Sequence, residues 1–264
     1  MDEYAKANKK NWNGRVPAHL QSRFYDVVGF KRGETSLKKL EIKELGSVRN
    51  KSLLHLQCHF GQDTISWARL GAKSTGVDFS DKAIKVARDL ARETGTQARF
   101  ICSDIYDLPG VLKEKFDIVF ASYGVFCWIS DINRWMRVAR SCLKPGGILY
   151  LMDDHPFASM FDKDGRLILY PYFPGKPIKS LHGGTYTDGD LSDLPATYEW
   201  SHTIGDIVNA VISNGMGIDF LHEFDFCAWK KFRTMKQGKN GFYTQGGTGN
   251  KLPLLFSLKA HCGF

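Results

Sequence analysis

At 264 residues, with 43% hydrophobic and 24% charged side chains, the chain has the length for one sizeable core and the composition of a globular domain, which excludes a disordered or fibrous protein. The formal net charge of +8 comes without an arginine-rich run or a nucleic-acid motif, so nucleic acid is not an expected partner. No apolar run approaches the roughly 18 residues that span a bilayer, residues 1–10 are unlike a secretion signal, and six cysteines stand without a Cys-x-x-Cys pair, so the expectation is a cytoplasmic protein with reduced thiols, no membrane and no metal.

In chain order, residues 1–50 are read as a helical cap. From residue 51 short apolar runs alternate with helical periods, the pattern of an α/β domain with a mostly parallel sheet. Strands are predicted at 52–58, 73–78, 98–104, 116–122 and 148–152. A helix at 62–70 stops at Gly71, the next carries Ala83, Val86, Ala87 and Leu90, and a third is capped by Ser130 with a stripe of Ile132, Trp135, Met136, Ala139 and Leu143. Pro145, Gly146 and Gly147 predict a turn before the fifth strand.

From 156 to 200 the periodicity is lost; prolines, glycines such as Gly183 and Gly184, and aromatics such as Tyr186 take over, and so many aromatics argue for a packed lid. Thr203 then caps a helix with Ile204, Ile207, Val208, Val211 and Ile212 on one face, and strands at 218–226 and 254–261 complete a seven-stranded sheet whose last two strands are antiparallel. The domain divides into the cap, a cofactor-binding core at 51–155, the lid, and a closing helix and strands at 201–264.

In such a sheet ligands bind beyond the carboxyl ends of the strands, so the residues after each strand are the candidates. The loop after the first strand has one glycine, Gly61, too few for a pyrophosphate and hence for a dinucleotide. Gln57, His59 and Gly61 border the ligand by position. Asp78 closes the second strand, where a carboxylate accepts bonds from two ribose hydroxyls. Asp104 closes the third, placed for an adenine amine with Ile105 against the ring, and Ser122 ends the fourth.

With Leu54-His55-Leu56-Gln57-Cys58-His59-Phe60-Gly61-Gln62-Asp63, these acids, Phe116-Asp117-Ile118-Val119 and Leu143-Lys144-Pro145-Gly146-Gly147, the chain resembles the class I S-adenosylmethionine-dependent methyltransferases, and within them a bacterial subfamily. The resemblance extends to Phe24-Tyr25-Asp26, Tyr123-Gly124-Val125 and Tyr198-Glu199-Trp200-Ser201-His202. It implies a Rossmann-like sheet, S-adenosyl-L-methionine as methyl donor and S-adenosyl-L-homocysteine as product. Asp78 and Phe79 would then lie at the adenosine, Asp104 and Ile105 at the adenine, and Tyr25 over the sulfonium. The chain departs from the wider family in having Gln57 and His59 where glycines are usual and His55 where an acid is usual; His55 is read as a core residue.

The expected acceptor is a small molecule, methylated by in-line displacement through proximity and desolvation, with His155 and His202 as candidate bases. Tyr123, Trp128, Tyr172 and Trp200 would wall the acceptor, and the protein would be a monomer or homodimer. A nucleic-acid methyltransferase remains the alternative, although Ser122-Tyr123-Gly124-Val125 stands where an Asn/Asp-Pro-Pro-aromatic motif would be expected. A catalytically silent S-adenosylmethionine-binding protein is the other.

Overall fold

A computed structural model describes residues 1–181, 187, 194–245 and 251–263. The predicted Gly183, Gly184 and Tyr186 of the lid lie outside the described residues.

Seven strands form the central sheet: β1 Ser52–Leu56, β2 Lys73–Asp78, β3 Arg99–Cys102, β4 Phe116–Ser122, β5 Leu143–Asp154, β6 Met216–Phe224 and β7 Leu255–Cys262. Their order is β3-β2-β1-β4-β5-β7-β6, and only β7 runs against its neighbours β5 and β6. The order reverses between β1 and β4, which puts the ligand crevice at the carboxyl ends of these two strands.

Strand alternation sorts the core. Leu54, Leu56, Val119 and Leu149 face one side with Trp135, Met136 and Val211, while Leu53, Ile118, Phe120 and Tyr150 face the other with Leu45 and Trp67. The helices are α1 Glu3–Gln21, α2 Val27–Lys31, α3 Lys39–Leu45, α4 Gln62–Arg69, α5 Asp81–Glu93, α6 Leu108–Val111, α7 Ile132–Ser141 and α8 Ile204–Ser213, and these partners come from α3, α4, α7 and α8. None of the described helices is long and apolar enough to cross a membrane.

Several predicted boundaries shift for identifiable reasons. The N-cap of α7 is Asp131, not Ser130: its carboxylate accepts from the Arg134 N–H at 2.8 Å, and an anion there is favoured by the helix dipole. Pro145-Gly146-Gly147 does not separate elements; it is an irregularity inside β5, where pairing jumps from Leu143 opposite Phe116 to Ile148 opposite Ile118. β1 ends at Leu56 and β3 at Cys102, short of the predicted 58 and 104, because Gln57 turns left-handed and Ser103 and Asp104 leave the ladder. Thr203 does cap α8, through a reciprocal capping box with Asp206, but Ile212 is 58% exposed and the buried face is Ile207, Ala210 and Val211.

Two small sheets were not predicted: one of Met235–Gln237, Tyr243–Gln245 and Phe226–Cys227, the other of Ile178–Ser180 with Thr197–Glu199. Strands of two or three residues carry no readable period.

Candidate active site

The loop after β1 carries left-handed backbone at Gln57 (φ 57°), His59 (φ 50°) and Gly61 (φ 79°). A Cβ on Gly61 would stand 2.5 Å from a Phe100 ring carbon, so this position needs glycine for space as well as for conformation. At Gln57 and His59 the same conformation costs about 1–2 kcal/mol each, and each side chain is anchored. Gln57 Oε1 accepts from Trp135 Nε1 at 2.8 Å, and His59 Nε2 lies 3.0 Å from His19 Nδ1. The backbone course expected of glycines is thus kept, with the side chains directed into packing.

Asp78 faces this loop. Its Oδ2 accepts from the His59 N–H and its Oδ1 from the Ser80 N–H, both at 2.8 Å, and each oxygen retains a lone pair. Burial raises its carboxyl to about 6, and those two N–H bonds act against the rise. Asp104 is buried and accepts from the Tyr106 N–H at 2.8 Å; Ile105 packs in the main core beside it, and Phe79 follows Asp78, its carbonyl 3.6 Å from Cys102 Sγ. This donor set, a carboxylate beside a left-handed loop and a second acid one strand away, fits the diol, amino-acid and adenine parts of adenosylmethionine.

Helix α1 lies over the loop with a polar buried face: Asn8, Asn11, Arg15 and His19 recur three or four residues apart, and His19 is fully buried. Trp12 packs at 5.3 Å from both His59 and Trp128, and Tyr25 at 5.5 Å from His59 and 4.6 Å from Phe60. Gln62 Nε2 donates to the Tyr25 carbonyl at 2.8 Å, fixing the amino-terminal segment to α4. Burial, then the Arg15 charge, lowers His19 to about 3; burial, then His19 and Arg15, holds His59 well below its usual value, so both rings are neutral at pH 7. Trp12, Arg15 and His19 were not among the predicted site residues.

The turn after β4 is clamped by Asp153, also missed, although the strand-end rule that found Asp78 applies to it. The Val125 and Phe126 N–H groups donate to Asp153 Oδ2 at 3.0 and 2.9 Å, and the Gly124 N–H donates to Oδ1. This fixes the short 3-10 turn Phe126–Trp128. Ser122 Oγ donates to Asp63 at 3.1 Å, and the Tyr123 hydroxyl donates to the buried Glu41, so Tyr123 is occupied by α3. His55 is in the core, 2.9 Å from Thr64 Oγ1 and 4.9 Å from the Phe120 ring.

Burial, and next the Asp63 charge, raises Glu41 from 4.5 to about 8; Tyr123 and Lys38 act against the rise. The folded protein holds this proton through neutral pH while the unfolded chain releases it near 4.5, so stability falls as pH rises from 4.5 to 8. Glu41→Gln is expected to remove that slope, measured as urea midpoints from acidic to alkaline buffer. A slope unchanged by the substitution would mean that Glu41 is ionised in the folded state.

The predicted histidines stand apart from one another. His155 Nδ1 accepts from the Phe157 N–H at 3.1 Å, which puts the proton on Nε2, 2.7 Å from Glu223 Oε1; both nitrogens are engaged in holding the segment after β5. His202 Nε2 donates to the Ile129 carbonyl at 2.6 Å, tying the start of α8 to the turn after β4. The Tyr172 hydroxyl accepts from the Ile204 N–H at 3.4 Å, and Trp200 lies edge-on to Tyr4 at 6.0 Å. The structure therefore gathers Tyr25, His59, Gly61, Asp78 and Trp128 around the loop, while Tyr172 is directed to α8.

Residues 54–151 match the family model for a methyltransferase domain. A ubiquinone biosynthesis O-methyltransferase from Xanthomonas euvesicatoria is 28% identical over 137 residues, 51% of this chain and 57% of that protein. Another, from Idiomarina loihiensis, is 31% identical over 139 residues, 50% and 55% of the two chains. The chain thus spans little more than half the length of these curated relatives. The fold matches that of an S-adenosylmethionine-dependent methyltransferase from Mesorhizobium loti, with TM-score 0.55, 20% identity, and coverage of 88% of this chain and 99% of that one. It also matches one from Clostridium acetobutylicum with TM-score 0.56, 13% identity, and coverage of 94% and 95%. Residues 54–151 thus match a methyltransferase domain, and the chain shares the fold of solved S-adenosylmethionine-dependent methyltransferases.

Proposed function

We propose that the protein transfers a methyl group from S-adenosylmethionine to a small-molecule acceptor. The observation that carries this reading is Asp78, a buried carboxylate at the end of β2 bonded to the backbone of a left-handed loop at the sheet's switch point. The names of the curated relatives support a small acceptor.

When bound, the cofactor supplies an electrophilic methyl group on a sulfonium. Asp78 would hold the ribose hydroxyls, with Phe79 beside it. Asp104 and Ile105 would hold the adenine. The backbone around Gln57, His59 and Gly61, with Ser122, would border the amino-acid end. Tyr25 and Trp12 would close the site under α1 and exclude water, and Trp128 would form the acceptor side. In-line transfer needs alignment and desolvation above all, and the aromatic cover supplies both.

Calorimetric titration with S-adenosylmethionine and S-adenosylhomocysteine tests this, with NADH as control. Binding of both sulfur ligands and none of NADH is expected. Folded protein that binds neither would refute the proposal, and binding without turnover on any small acceptor would mark a silent cofactor-binding protein.

A further inference from the structure

Five of the seven residues from Leu167 to Phe173 are large apolar or aromatic side chains left 42–73% exposed: Leu167, Ile168, Leu169, Tyr170 and Phe173. Phe173 is the most exposed large hydrophobic among the described residues. The backbone that carries them is nonetheless fixed. The Asp162 N–H donates to the Leu167 carbonyl at 2.9 Å, and the Met160 carbonyl accepts from the Leu169 and Tyr170 N–H groups at 2.8 and 3.1 Å, which closes a narrow hairpin with Phe161 opposite Ile168. Asp162 Oδ1 accepts from the Arg166 and Leu167 N–H groups at 2.8 and 3.1 Å and holds the turn. On the protein side the Arg233 N–H donates to the Lys163 carbonyl at 2.8 Å, and the Phe161 ring meets the buried Phe232 edge-on at 6.4 Å. Further along, the Pro171 carbonyl accepts from Ser201 Oγ at 2.9 Å. The ribbon is thus ordered by hydrogen bonds and by Phe161, while its other apolar side chains stay in water.

Alternation along the extended ribbon sends Leu167 and Leu169 to one side and Ile168 and Tyr170 to the other, and all four are exposed. A folded partner would cover one side of such a ribbon and leave the other wet, whereas the fluid boundary of a bilayer surrounds both. Charge points the same way. Residues 165–181 include Arg166, Lys176 and Lys179, all exposed, and no aspartate or glutamate, in a chain of net charge +8. Cations beside an apolar and aromatic surface suit an anionic lipid leaflet: the aliphatic side chains enter the acyl boundary, tyrosine stays at headgroup level, and the cations meet the phosphates.

We propose that the ribbon Leu167–Phe173 is a membrane-docking element that seats in the surface of an anionic bilayer, with Arg166, Lys176 and Lys179 at the lipid phosphates. This goes beyond the methyltransferase reading and does not depend on it. It replaces the expectation of no membrane partner, which rested on the lack of a spanning segment; a ribbon seated in the surface needs none. Ser201, which holds the ribbon, precedes His202, whose bond to the Ile129 carbonyl ties the same segment to the turn carrying Trp128, so the docking face and the acceptor side belong to one connected unit.

The test sediments the full chain with vesicles of phosphatidylcholine alone or mixed with phosphatidylglycerol, at low and high salt. Binding to the mixed vesicles is expected, at least about tenfold weaker on the neutral ones and weakened by salt. Lys176→Gln with Lys179→Gln is expected to lose about tenfold or more on the mixed vesicles. Leu167→Ser with Ile168→Ser and Phe173→Ser is expected to abolish sedimentation with either vesicle. Urea midpoints equal to that of the wild type show that both variants are folded. No sedimentation of the wild type with the mixed vesicles, or sedimentation unchanged by the serine substitutions, would overturn the proposal. So would a wild-type dimer in lipid-free buffer that the serine substitutions turn into a monomer, which would assign the ribbon to a second copy of the chain. Failure of the wild type to bind S-adenosylhomocysteine would overturn the methyltransferase reading alone.

Discussion

Lys231→Ala is expected to destabilise the fold by about 3–5 kcal/mol. The Lys231 ammonium lies 3.0 Å from Asp154 Oδ2, with both side chains largely buried, and donates to Ser159 Oγ at 3.1 Å. Trp229 Nε1 stands 3.1 Å from both Asp154 oxygens, a neutral donor that cannot balance the anion alone. Removing the cation leaves Asp154 charged at the end of β5, where water is scarce. Replacing both partners by apolar residues removes the uncompensated charge as well, so Asp154→Leu with Lys231→Met is expected to lose much less than the single substitution. Urea denaturation of the three variants reads this directly. A loss below about 1 kcal/mol for Lys231→Ala would class the pair with solvent-screened surface bridges.

Asp78→Asn is expected to weaken S-adenosylmethionine binding by about a hundredfold or more while leaving the fold intact. Bonds to an ionised acceptor are worth about 1.5–3 kcal/mol each, and each 1.4 kcal/mol is tenfold in affinity. The amide keeps one acceptor oxygen for the loop and loses the charge that would take two ribose hydroxyls. The variant stays folded but loses one of the two loop bonds, because the amide NH2 cannot accept from the second N–H, at a cost of about 1–3 kcal/mol. Burial raises the Asp78 carboxyl from 3.8 to about 6, so in the wild type stability falls as pH rises from 3.8 to 6, and the asparagine variant is expected to lack that slope. Unchanged affinity in a folded variant would show that Asp78 serves the loop alone.

Asp78 and Asp154 both sit at strand ends, of β2 and β5 with β1 and β4 between them, yet only Asp78 is legible in the sequence. Asp78 closes a five-residue buried run with helical period beyond it, so position alone marks it as a candidate ligand residue. Asp154 ends β5 in the same way, but its partner comes from a segment 77 residues further on that has no periodic signal. The catalytic candidates show the same contrast. His155 and His202 are expected because histidine has a suitable ordinary pKa, whereas the structure commits His155 at both ring nitrogens and His202 at Nε2, to partners distant in the chain.

The sequence by itself determined the alternating strands and helices, the seven-stranded sheet, the acids at the ends of β2 and β3, and a first loop unsuited to a dinucleotide. Apolar periodicity and strand-end position are local properties that survive without coordinates. Only the tertiary structure decided what covers the site. Helix α1 buries asparagine, arginine and histidine on its inner face, and in sequence such a face reads the same as a solvated one. Polar burial is stabilised by specific partners, here Tyr198, His59 and the two tryptophans, and those partners become neighbours only when the short strand Thr197–Glu199 and the first loop are folded against the helix.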